Sequence, residues 1–171
     1  MKTTIAGLVV VMGLAAQTLK LPIDIENLSK AATETVDVTL DGSMIRFAER
    51  FLSDGDADQA KAKRLLRGLN SIQVKKFEFA REGEYSERDL QSIRSQLQAP
   101  NWSRMVHVKG LRENTEVFSQ MRAGEMTGLV VLSAEPRELT IVHIDGPIKP
   151  EDIASLSGHA GLPRWNRGGD R

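Results

Sequence analysis

Residues 115–145 read TEVFSQMRAGEMTGLVVLSAEPRELTIVHID. Three runs rich in β-branched and large apolar residues are separated by two short polar breaks, Ala123-Gly124-Glu125 and Glu135-Pro136-Arg137. Glycine and proline punctuate strands, and links this short join strands only as antiparallel neighbours. A fourth run, WSRMVHVKG at residues 102–110, precedes them. Residues 102–145 are therefore predicted to form a four-stranded meander, which Gly146-Pro147 ends.

Upstream of the meander the period changes. SERDLQSIRSQLQ (86–98) spaces Leu90, Ile93 and Leu97 along one helical face, with Ser86 as N-cap and Pro100 just past the end. Before it, SIQVKKFEFA (71–80) alternates at Ile72 and Val74, then slips phase to Phe77 and Phe79. One extra residue at Lys75-Lys76 would produce that slip, so a β-bulge is predicted there. Strand, helix and following strand make one β-α-β crossover, expected to be right-handed.

SDGDADQAKAKRLLRGLN (53–70) reads as a helix with Asp56 and Gln59 in a capping box and Ala62, Leu65, Leu66 and Leu69 as its buried stripe. VDVTL (36–40) is a short strand. MIRFAERFL (44–52) is a helix capped by Ser43, with Met44, Phe47/Ala48 and Phe51/Leu52 on one face. IDIENLSKAATET (23–35) supplies a further short helix, and KPEDIASLSG (149–158) a last one with Pro150 in its first turn. The sum is an α+β fold: a mainly antiparallel sheet with helices packed on one face.

The ends bear on address. MKTTIAGLVVVMGLAAQ carries Lys2, an apolar run over residues 5–16, and small residues before a polar exit. That run is too short to span a bilayer comfortably and fits a secretory signal peptide of residues 1–17. An N-terminal segment (18–35), one α+β domain (36–157) and a loose Gly/Arg-rich tail (158–171) follow. With no cysteine in the chain, disulfides and a lipid-bearing lipoprotein cysteine are both excluded. The expected location is the periplasm or outside the cell, with no stable membrane span after cleavage. Lys+Arg and Asp+Glu number 23 each, so no basic footprint points to nucleic acid.

The chemistry-bearing residues are sparse. Asp54, Asp56 and Asp58 imitate the start of a calcium loop, but Gln59 and Leu65 stand where such a loop needs Gly and Glu. They read better as a turn and a helix cap. His143 and Asp145 lie at i and i+2 of a strand and share a face; with His107 they are the low-probability polar site, fit for acid–base work only if all three converge. No metal, cofactor or catalytic residue is assigned. Lys75, Lys76, Arg104 and Trp102 make a candidate binding surface near the expected bulge, with the commoner alternative that Trp102 seals the core.

Three blocks in order, FEFAREGEYSERDLQSIRSQL, PNWSRMVHVKG and SAEPRELTIVHIDGPI, together with TVDVTLDGSMIRFAERFLS, resemble an uncharacterised family of secreted bacterial proteins, domain of unknown function 4252. The resemblance covers about residues 36–156. It implies a signal-bearing envelope protein of Gram-negative bacteria, associated with regulators of envelope stress, and no established activity to carry over. Some relatives are lipoproteins; this chain lacks their cysteine. The expectation is an exported, non-catalytic binding or sensory module whose partner is an envelope protein or regulator. The alternatives are a small hydrolase or lyase using His143 and Asp145, and a structural envelope protein that self-associates through an open edge strand.

Overall fold

The computed structural model describes residues 24–98 and 100–149. The expected signal peptide, the helix from residue 149 and the tail lie, but for their margins, outside the described residues.

The elements run α1 (Asp24–Ala31), β1 (Glu34–Asp41), α2 (Gly42–Glu49), α3 (Ala57–Gly68), β2 (Ser71–Glu78), α4 (Glu87–Gln96), β3 (Trp102–Lys109), β4 (Asn114–Arg122), β5 (Glu125–Glu135) and β6 (Glu138–Asp145). The strands form one six-stranded sheet in the order β1-β2-β6-β5-β4-β3, with every neighbouring pair antiparallel. The meander is present as β3-β4-β5-β6. The β4–β5 turn places Ala123 and Gly124 at φ 52° and 84°, the left-handed pair that a tight hairpin between right-twisted strands requires. The β2-α4-β3 crossover is also present. Its two strands run the same way, with β6, β5 and β4 between them.

Helix starts follow local hydrogen bonding. Asp41 caps α2, its Oδ1 accepting from Ser43 N at 2.8 Å and Met44 N at 2.9 Å. Ser43 was the expected cap; the aspartate two residues earlier takes the role because its carboxylate already reaches both free amides. Asp56 caps α3, accepting from Asp58 N at 3.0 Å and Gln59 N at 2.9 Å. The Gln59 side chain reaches back past the cap to Ser53 N at 2.9 Å. At α4 the Asp89 carboxylate accepts from Ser86 N and from the Ser86 hydroxyl, both at 2.7 Å.

The arrangement of helices differs from expectation. Two cores exist, one on each face of the sheet. The first joins Leu28 of α1 and Leu90 and Ile93 of α4 to Phe77, Phe118, Val130, Leu132, Leu139 and Ile141. The second joins Ile45 of α2 and Leu65 and Leu66 of α3 to Val117, Leu129, Val131 and Ile144. Helices therefore cover both faces. The central strands bury both sides, so Leu129, Val130, Val131 and Leu132 are all buried in succession.

Two-sided burial also removes the expected bulge. Strand β2 pairs in unbroken register with both β1 and β6 through Lys75 and Lys76. Ile72 serves the second core and Phe77 the first, so the apolar phase changes while the backbone stays regular. The register shifts lie elsewhere, between Arg104 and Val106 of β3 and between Gln120 and Met121 of β4.

In helix α2 the buried residue is Ile45, while Met44 and Phe47, and Phe51 just past the helix end, are exposed.

Candidate functional site

His143 and Asp145 share the first-core face of β6, as their spacing requires. His143 is buried, its ring edge-on to Trp102 with centroids 6.0 Å apart. Its Nδ1 is buried with no hydrogen-bond partner. Burial holds its pKa below the ordinary histidine value, against a smaller upward pull from Asp145. Trp102 lies over Gly128, where an added Cβ would stand 3.2 Å from Trp102 Cη2; only a glycine leaves the indole that seat.

His107 is not brought to them. It lies on edge strand β3, three strand spacings from β6 or roughly 14 Å. Its Nε2 is engaged with Asn114 Oδ1 at 3.0 Å. Among the described residues no group of three or more His, Asp or Glu side chains is placed to hold a metal ion.

The four residues of the expected binding surface are also separated. Lys75 and Lys76, as successive strand residues, project to opposite faces of β2. Lys75 Nζ meets Asp37 at 2.5 Å; Lys76 Nζ meets Glu78 at 2.5 Å and Glu138 at 3.1 Å. Trp102 is a member of the first core. Arg104 is committed to an ion cluster.

That cluster has no sequence signature, because its members come from three elements. Glu116 of β4 is 1% exposed. Its Oε1 accepts from Arg94 Nε of α4 at 2.7 Å, and its Oε2 from Arg104 Nη1 of β3 at 2.9 Å. Arg94 also pairs with Glu87, about two turns nearer the N-terminus of α4. Burial acts to raise the Glu116 carboxyl and is the largest single influence; the hydrogen bonds and charges of Arg104 and Arg94 together outweigh it and hold the group below the usual carboxylate range. The carboxylate is buried and held by two guanidinium groups. Its chemistry is that of a clamp fastening α4 to the β3–β4 edge.

A cleft of ≈ 440 Å³ opens at the far end of the sheet, among Glu78, Glu82, Glu135, Glu138, Arg112 and Arg137. Its charges are largely answered within the fold: Arg112 meets Glu82 at 3.1 Å, Lys76 meets Glu78 and Glu138, and Arg137 donates to the Phe79 carbonyl at 3.1 Å. Tyr85 closes the adjoining wall by donating to the Glu135 carbonyl. Burial, with Glu135 and Glu87 nearby, pushes its pKa up to about 12, so it remains a neutral donor.

The surface that internal pairing does not explain is apolar. Met44, Phe47 and Phe51, the last just past the end of α2, are spaced i, i+3 and i+7 counted from Met44 and are 50%, 59% and 72% exposed. The two rings make an edge-to-face pair with centroids 5.1 Å apart. Sequence periodicity found these residues as one face and left open whether core or solvent lies opposite.

These features define a class: an α+β domain built on one antiparallel sheet with a core on each face, a buried ion clamp, a charged cleft at one end of the sheet and an exposed apolar stripe. The chain belongs to the family described as Domain of unknown function (DUF4252), whose model matches residues 30–156. The match takes in all six strands and three of the four helices. Neither curated proteins nor solved structures gave a match to this chain.

Proposed function

We propose that the protein is an exported, non-catalytic interaction module that acts in the periplasm or outside the cell, and that the α2 stripe is the surface it offers to a protein partner. The observation that carries the reading is the joint exposure of Met44, Phe47 and Phe51, with the two phenylalanine rings in contact. Scattered apolar residues on a surface are ordinary, but an edge-to-face aromatic pair with a methionine beside it forms an anchor of the kind that partners bury. Export rests on the leader-like residues 1–17 and on the resemblance to secreted bacterial proteins. The absence of a gathered acid–base set among the described residues favours binding over the hydrolase or lyase reading.

The test is crosslinked capture of the tagged protein from its native cell envelope, read by mass spectrometry, beside the double variant Phe47→Glu/Phe51→Glu. One reproducible partner, lost in the variant while its circular dichroism is unchanged, is the expected result. Equal capture by both proteins would remove α2 as the binding surface.

A further inference from the structure

The two open edges of the sheet match each other. Strands β1 and β3 are the edges, and because all five pairings are antiparallel they run in opposite directions. A second copy laid beside the first in the same orientation therefore sets its β1 antiparallel to β3 and continues the alternation. Following the paired residues across the sheet fixes what would meet. Val38 is level with Val106, and Val36 with Val108. Asp37 is level with His107, and Thr35 with Lys109. The valines fall on the second-core face, where Leu40 and Val106 already pack. The polar pairs fall on the first-core face.

Exposure and charge agree with this match. Val38 on β1 and Val108 on β3 are 41% and 43% exposed, on strands whose neighbours elsewhere in the sheet cover such residues. Edge β1 carries Glu34, Asp37 and Asp41; edge β3 carries Arg104, His107 and Lys109. Pairing β1 with β1 would gather its three acids, whereas β1 with β3 in this register sets Asp37, already paired with Lys75, beside the His107 ring and Thr35 beside Lys109. The irregularity at Met105 limits regular pairing on β3 to the residues from Val106 to Lys109, and those four are the ones whose partners match.

We infer that copies of this chain associate edge to edge, β1 of one against β3 of the next, extending the sheet from molecule to molecule. The contact is head-to-tail, so it generates a ring if the sheet twist closes and an open filament if it does not. It does not use the α2 stripe, so either reading can fail without the other.

The chain has no cysteine, which makes the test clean. In the full-length double variant Val38→Cys/Val106→Cys, the two thiols of one molecule stand five strand spacings apart, roughly 24 Å, far beyond disulfide reach. Mild oxidation should give a ladder of dimers, trimers and larger species that reductant collapses, while either single variant stays monomeric. The unmodified chain should sediment faster as concentration rises, and Val38→Lys should abolish the rise. A double variant that stays monomeric on oxidation would overturn the proposal. So would single variants that dimerise as readily as the double one, since that reports like-edge contact. A concentration-independent monomer in sedimentation would do the same.

Discussion

The two faces of the sheet solve the same packing problem differently. On the first-core face, α1 and α4 bury Phe77 and Phe79 completely and a charged clamp locks the helix in place. On the second-core face, α2 turns only Ile45 inward and leaves two phenylalanines in solvent. A helix that buries one apolar residue and exposes three is poorly placed to add stability, and well placed to bind. The first face is thus read as the structural one and the second as the interacting one.

The sharpest way to break that contrast is to truncate the same residue type on each face. Phe77→Ala should cost about 4 kcal/mol, the usual penalty for emptying a buried aromatic site. Phe47→Ala should fall within about 0.5 kcal/mol of the parent, as exposed positions do. Urea denaturation of both variants measures the difference directly. Comparable losses would mean that Phe47 is covered in solution and that α2 is a structural element after all.

The clamp comes next in size. Glu116→Ala leaves Arg94 and Arg104 facing each other without their shared carboxylate, and should cost about 3 kcal/mol. The triple exchange Arg94→Met, Arg104→Met, Glu116→Leu should recover most of the loss, because an apolar replacement removes the charges along with the need to pair them. A Glu116→Ala protein as stable as the parent would show that the cluster is solvated and fastens nothing.

Much of this architecture was legible in the residues, and the failures share a cause. Strand positions, the 123–124 turn and the Asp56 cap are local, so short-range patterns reveal them. Which face a residue serves is a tertiary matter. The apolar succession Leu129-Val130-Val131-Leu132 signalled burial on both sides, yet reading only for alternation assigns all helices to one face. The same reading turns the honest change of face between Ile72 and Phe77 into a bulge. The stripe of α2 was found by its period, but a period does not say whether sheet or solvent lies opposite. The clamp was invisible, since Arg94, Arg104 and Glu116 are unremarkable one at a time. Whether His107 could meet His143 depended on strand order, and the order places β4 and β5 between them.

The smallest expected effect tests the buried histidine of the structural face. His143 is buried beside Trp102 with Nδ1 unpartnered, and burial lowers its pKa below that of the unfolded chain. The unfolded state therefore binds the proton more tightly. Stability from a neutral His143 is intact above the ordinary histidine pKa, near 6.5. It declines as pH falls below that value toward the lowered folded pKa, and levels off beneath it. Glu116 acts over a lower range: its folded pKa is depressed, so its contribution is lost only as pH falls through the carboxylate region. Unfolding midpoints measured from pH 8 to pH 4 should fall first in the histidine range for the parent. In His143→Gln that first decline should vanish while the carboxylate decline remains. An unchanged first decline in the variant would place its origin outside His143 and leave Trp102 packed against a group that never charges.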